Sequence, residues 1–193
     1  LVFAADLDND GDIDVLSASS GDDTIAWYEN DNSDGSWIMH TVSTSAAFAV
    51  FVFASDVDGD GDIDLLSASY NDAKIAWHEN ADGGGTTWTT HTITTSADDT
   101  GSVFGIDVDG DGDVDALSAS RLDDTIAWYE NADGGGATWT THTITTSADF
   151  AVSVVGIDVD GDGDVDILAA SVSDDTIALY VCAVWCVVRG SVL

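Results

Sequence analysis

The sequence predicts an all-β protein, a β-propeller-like stack of four blades of about 51 residues and four strands each, forming an open or partial propeller. Three observations predict it. A nine-residue aspartate loop recurs four times, starting at Asp6, Asp56, Asp107 and Asp158, so the copies stand 50, 51 and 51 residues apart. The same succession of short apolar segments and turns follows each loop. No stretch of the chain carries the 3.6-residue apolar period of a helix long enough to matter.

Within one repeat the elements follow in order. After the loop comes a short apolar segment closing in Ser and Ala (Val15 to Ser19, Leu65 to Ser69, Ala116 to Ser120, Ile167 to Ser171), and then a turn containing Asp. An Ile-Ala-Trp segment follows, with Trp27, Trp77 and Trp128 in three copies and Leu179 in the fourth. Glu29-Asn30, Glu79-Asn80 and Glu130-Asn131 close it before a Gly/Asp turn. The segments starting at Trp37, Trp88 and Trp139 are rich in Trp, Thr and β-branched residues, which favour strands. The one-residue difference in period falls between Asn30 and Trp37, at a hairpin tip where length changes are tolerated. Apolar stretches such as Phe48 to Ala54 and Val152 to Ile157 lead into the next loop and read as buried strands. A four-stranded unit of this size cannot bury both faces alone and must stack on its neighbours. A sandwich of repeats or a β-solenoid is the alternative architecture.

The repeats run from about 1 to 50, 51 to 101, 102 to 152 and 153 to 180. Residues 181–193 leave the pattern and read as a divergent, truncated or frameshifted tail, so the fourth unit is expected to lack its outer strand. The chain begins without Met and looks like a fragment, with any secretion signal upstream.

The apolar fraction of 45% is enough for a real core. Against 3 Lys and Arg stand 37 Asp and Glu, for a formal charge of -34, so something cationic is expected to be bound. That charge excludes nucleic acid and anionic membranes as partners, because both need basic side chains to neutralise phosphates. The apolar run Val181 to Val188 is too short to span a bilayer, so no membrane insertion is expected of this segment.

The acids concentrate in the loops. The candidate metal ligands are Asp6, Asp8, Asp10, Asp12 and Asp14, then Asp56, Asp58, Asp60, Asp62 and Asp64, then Asp107, Asp109, Asp111, Asp113 and Asp115, and finally Asp158, Asp160, Asp162, Asp164 and Asp166. Side-chain carboxylates stand at loop positions 1, 3, 5 and 9, glycine at position 6, and the residue at position 7 can offer its backbone carbonyl. Calcium takes six to eight hard oxygens in a flexible shell, whereas magnesium demands a strict octahedron and zinc prefers His or Cys. Calcium therefore fits best, about four ions at one per repeat. Two carboxylates about 4 Å apart repel by about 4 kcal/mol at an effective dielectric near 20, so four in nine residues oppose a folded loop without a cation. Solvated Asp-Gly turns are the plainer alternative, but four repetitions of one spacing exceed what turn chemistry requires. An EF-hand agrees at positions 1, 3, 5 and 6 and fails at position 12, where Ser17, Ser67, Ser118 and Ala169 replace the glutamate.

On these loops, residues 1 to about 180 resemble the FG-GAP/VCBS type of repeat, whose D-x-D-x-D-G-x-x-D loops bind calcium in the β-propeller of integrin α-subunits and in many secreted or surface proteins. The resemblance implies side-chain ligation by Asp6, Asp8, Asp10 and Asp14 and their counterparts, and a backbone oxygen from Asp12, Asp62, Asp113 and Asp164. Proline is absent, and Ser67-Ala68-Ser69 stands where integrin repeats carry Gly-Ala-Pro, which favours the VCBS-like branch. Family propellers commonly have seven blades, and four units form an open arc with apolar faces exposed.

His40, His91 and His142 recur with the repeat and read as strand positions with a local hydrogen bond, not as catalytic bases. His78 replaces a Tyr found at 28, 129 and 180 and reads as a surface or rim change. The Trp pairs, such as Trp77 and Trp88, read as packing between sheets in preference to a sugar platform. Cys182 and Cys186 form a weak C-x3-C pair without a nearby His, better read as free thiols or an incidental bridge than as a zinc site. No odd polar constellation breaks the repeat, so no enzyme is expected. The expected function is a calcium-binding repeat module of a secreted or cell-surface protein, acting in adhesion or in binding a protein or glycan ligand. The alternative is the non-catalytic propeller portion of a larger secreted polysaccharide-active enzyme.

Overall fold

In the computed structural model, residues 1–31, 35–181 and 190–192 are described. They form sixteen strands and, among them, no helix. The first sheet comprises β1 (Val2–Ala5), β2 (Asp14–Ser19), β3 (Thr24–Asp31) and β4 (Ser36–Ser43). The second holds β5 (Ala49–Ser55), β6 (Asp64–Ser69), β7 (Lys74–Asn80) and β8 (Trp88–Thr94). The third holds β9 (Thr100–Ile106), β10 (Asp115–Ser120), β11 (Thr125–Asn131) and β12 (Trp139–Thr145). The fourth holds β13 (Ala151–Ile157), β14 (Asp166–Ser171), β15 (Thr176–Tyr180) and β16 (Gly190–Val192). Every sheet is a four-stranded antiparallel meander in chain order.

The fourth sheet corrects one expectation. Its outer strand is present, though only three residues long, and pairs Tyr180 with Gly190 and Ala178 with Val192. An outer strand needs only one free backbone edge to pair with, so residues outside the repeat pattern supply it. Cys182 and Cys186 lie outside the described residues.

The four sheets stack face to face and enclose three cores. Leu16, Ile25, Trp27, Val52 and Leu65 fill the space between the first and second sheets. Leu66, Ile75, Trp77, Val103 and Tyr129 fill the next. Leu117, Ile126, Trp128, Val154 and Ile167 fill the third. Burying one such Leu, Ile or Val contributes about 1.5–3 kcal/mol, and neither face of an isolated sheet could collect it. The stacking shows in the burial pattern. Every residue of β6 and β10 is buried, because both faces of the inner sheets are covered. The β2 strand of the end sheet alternates instead, with Leu16 inward and Val15 half-buried.

First strands line the inner side of the stack, β1 against β5, β5 against β9, and β9 against β13. Phe3, Phe53 and Phe104 run along it with ring centroids 5.0 and 4.7 Å apart. Gly105 permits this approach, since a Cβ there would lie 2.9 Å from Leu66 Cδ1. The stack is open, and its end sheets expose Val2 on one side and Ile157 and Ile177 on the other.

Candidate metal centres

Each aspartate loop is the connection between the first and second strand of its sheet, so the stacking places all four on one rim. Position 9 (Asp14, Asp64, Asp115, Asp166) is the first residue of the second strand, and the four are at most 1% exposed. Position 6 is glycine because the chain turns back there with φ between +94° and +100° at Gly11, Gly61, Gly112 and Gly163, a conformation closed to other residues without strain.

Backbone amides of the loop hold the carboxylates in place. In the second repeat Asp56 accepts from Gly59 N at 2.8 Å and Gly61 N at 3.1 Å, and Asp58 accepts from Asp60 N at 3.2 Å. Asp64 Oδ2 accepts from Val57 N at 3.0 Å, and its Oδ1 from Asn80 N at 2.8 Å. The third repeat repeats this at Asp107, Asp109 and Asp115. Carboxylate oxygens within 4.8 Å of one another come from Asp6, Asp8 and Asp10, from Asp56, Asp58 and Asp64, from Asp107, Asp109 and Asp115, and from Asp158, Asp160 and Asp166.

Those clusters unite positions 1 and 3 with position 9 in three repeats and with position 5 in the first. Asp14 stays outside the first cluster, and Asp60, Asp111 and Asp162 stay outside theirs, exposed. The position-7 residues Asp12, Asp62, Asp113 and Asp164 are not gathered either. The Asp62 carboxylate lies against Gly83 of the outer hairpin, so tightly that a Cβ on Gly83 would collide with it, and Asp113 meets Gly134 in the same way.

Burial raises the pKa of Asp64 to about 7 and of Asp115 to about 6, against the pull of their amide donors. Asp14 is raised for the same reason, with the charges of Asp10 and Asp6 adding to it. Asp58 is raised first by burial, then by Asp60, with Glu79 contributing. These carboxylates carry an unfavourable charge that a bound cation would offset. No basic side chain does so among the described residues, where Lys74 pairs with Asp72 and Arg121 with Asp99. Asp6 Oδ1 is buried without a hydrogen-bond partner there. The orphaned oxygen of the first loop and the close carboxylate groups of all four are hard-oxygen sets that can hold a cation.

The Asn of the Glu-Asn pair was visible in the sequence as a repeat but carried no assigned role. Asn80, 1% exposed, connects two loops: its Nδ2 donates to Ile63 O of its own loop at 3.3 Å and to Leu7 O of the preceding one at 3.1 Å. Its Oδ1 accepts from Gly85 N at 2.9 Å. Asn131 does the same with Val114, Val57 and Gly136.

A profile of FG-GAP-like repeats matches residues 6–66, 56–118 and 107–169. The chain belongs to the FG-GAP-like repeat family. Among solved structures, the FG-GAP-like stack is similar to the V. cholerae biofilm matrix protein Bap1, with a TM-score of 0.51 and 20% identity over 93% of this chain. The chain spans 28% of that protein's length, and the likeness is one of fold. No curated protein matches the sequence.

The histidines and tryptophans of these FG-GAP-like repeats have structural partners. His40, His91 and His142 lie 2.7, 2.9 and 2.7 Å from Glu29, Glu79 and Glu130 and stack on Trp27, Trp77 and Trp128. His78 corrects the sequence reading. It is 1% exposed, bonded to Ser67 Oγ and Thr90 Oγ1 at 2.9 Å each, because the face it occupies is covered by the first sheet while Tyr28 occupies the open end.

Proposed function

We propose that this chain is a calcium-binding, non-catalytic repeat module of an extracellular or cell-surface protein, acting in adhesion or in the binding of a protein or glycan ligand. One observation carries the reading: a cluster of three amide-oriented loop carboxylates recurs in all four repeats, with no basic side chain among the described residues to neutralise it. Calcium is the cation whose preference for hard oxygens and loose geometry suits such a cluster. The gathered aspartates hold the ion, those at positions 1, 3 and 9 in the last three loops and at positions 1, 3 and 5 in the first, and the position-6 glycine shapes the turn. Asn80 and Asn131 transmit the order of one loop to the next. The likeness to a biofilm matrix protein supports an extracellular setting, where millimolar calcium saturates weak sites.

Calorimetric titration of the chelator-stripped chain tests this. Saturation near four calcium ions, with a melting temperature that climbs with calcium, is expected. Absence of binding, or a melt indifferent to chelator, would overturn it.

A further inference from the structure

Between the first and second sheets the chain places an ammonium group of its own. Lys74 Nζ lies 2.9 Å from Asp72 Oδ2 and donates to Ser45 O at 3.0 Å. Asp72 belongs to the β6–β7 hairpin and Ser45 to the connection from the preceding sheet. The Lys74 side chain is only 16% exposed, so its stem lies in the gap.

The same gap one repeat later has the acceptors and no lysine. Asp123 corresponds to Asp72 and Ser96 to Ser45, while Thr125 replaces Lys74 as the first residue of its strand. The space left by the shorter side chain is part of a cleft of about 370 Å³, lined by Ser96, Asp123 and Thr125 with Ala97, Ala127 and Thr143 among its walls. That volume is within the range of small-ligand sites. The charge of Asp98 also reaches Asp123. The nearest basic side chain on the hairpin, Arg121, is engaged elsewhere, with Nη1 at 3.2 Å from Asp99 Oδ1 and its guanidinium 5.8 Å from the Phe150 ring centre. No ion pair engages Asp123 among the described residues. In the third gap the corresponding Asp174 accepts from Ser171 Oγ at 2.6 Å, whereas Asp123 accepts from Thr125.

We propose that the cleft between the second and third sheets binds a primary ammonium group, on a lysine side chain or an amino sugar, where Lys74 Nζ stands one repeat earlier. Asp123 and the Ser96 carbonyl would accept its hydrogens, and Ala97 and Ala127 would flank its carbon frame. The site is separate from the metal loops, since no loop aspartate lines it.

The experiment is a titration of the full chain, followed by NMR at fixed saturating calcium, with Nα-acetyl-lysine amide, glucosamine and their neutral counterparts Nα-acetyl-norleucine amide and glucose. Either amine should shift the signals of Ser96, Asp123 and Thr125 while the neutral compounds do not, and the better amine names the source. Asp123→Asn should weaken binding about tenfold or more. Thr125→Lys should fill the cleft from within and abolish binding while the chain melts no lower. Lys74→Thr should add a second amine site. Equal binding of neutral compounds, no amine binding, or undiminished binding to the folded Thr125→Lys chain would each overturn the proposal.

Discussion

The indole of Trp27, in the first sheet, donates its Nε1–H to the carbonyl oxygen of Gly85, 58 residues later in the outer hairpin of the second, at 3.0 Å. The same oxygen accepts Trp88 Nε1 at 2.7 Å, so one carbonyl ties together the core tryptophan of one repeat and the outer-strand tryptophan of the next. Trp77, Trp139 and Gly136 repeat the arrangement between the second and third sheets. The tryptophan pairs are thus joints between sheets.

That joint makes Gly85 sensitive. It sits at φ +66°, and a Cβ would fall 2.4 Å from Trp27 Cζ2. Gly85→Ala should cost about 2–4 kcal/mol, from left-handed strain plus displaced packing. Its neighbour Gly84, with only Asp82 O at 3.9 Å, should accept Ala within about 0.5 kcal/mol. Urea unfolding of the two variants checks the contrast.

Asn80→Ala should destabilise by about 2–4 kcal/mol, because it strands the buried Leu7 carbonyl, the half-buried Ile63 carbonyl and the Gly85 amide. Asn30→Ala, losing among the described residues an exposed bond to Ile13 O, should cost less than about 1 kcal/mol. Calcium titration of Asn80→Ala should also show weakened coupling between the first and second loops, read as a broader binding isotherm.

His78 is held neutral by burial, its pKa pushed down to about 3 from an ordinary 6.5. A depressed histidine pKa means that the unfolded chain binds the extra proton first. Stability therefore falls as pH drops from 6.5 towards 3, by up to about 1.4 kcal/mol per pH unit from this group. His78→Tyr should remove that slope, since Tyr129 at the corresponding position reaches Ser118 Oγ at 3.2 Å and Ser67 is there to serve the new hydroxyl. Melting temperature against pH for the two chains is the measurement.

The buried acids act with the opposite sign. Asp64 has a folded pKa near 7, above its ordinary 3.8, so the native metal-free chain holds a proton that the unfolded chain has released. Its contribution is fully present below pH 3.8 and is lost as pH rises towards 7. Asp64→Asn should flatten this fall in the stripped chain. Bound calcium should reverse it, with affinity rising from pH 5 to 8 as the acids deprotonate and remaining nearly flat at the Asp64→Asn loop.

How much of this was legible in the sequence depends on range. The loop could be read because its chemistry is local: Asp56, Asp58 and Gly61 act through amides within five residues. The strand order could be read because each sheet is a meander of adjacent segments. His78 could not, because its burial depends on which sheet covers that face, and Tyr28 at the same repeat position is not buried. Nor could the role of Asn80, whose partner Leu7 is 73 residues away. The outer strand of the fourth sheet escaped the pattern because strand pairing asks for a backbone edge, not for the repeat's side chains.

The sequence by itself determined the all-β class, the period, the four loops and the acidic character, all of which follow from spacing and composition along the chain. Only the tertiary structure decided which position of each loop is buried beside its partners, which tryptophan meets which glycine, and where a cleft stays open. Those features arise between repeats, where distances are set by stacking, and a missing lysine at Thr125 matters only because Asp123 and Ser96 line one cleft.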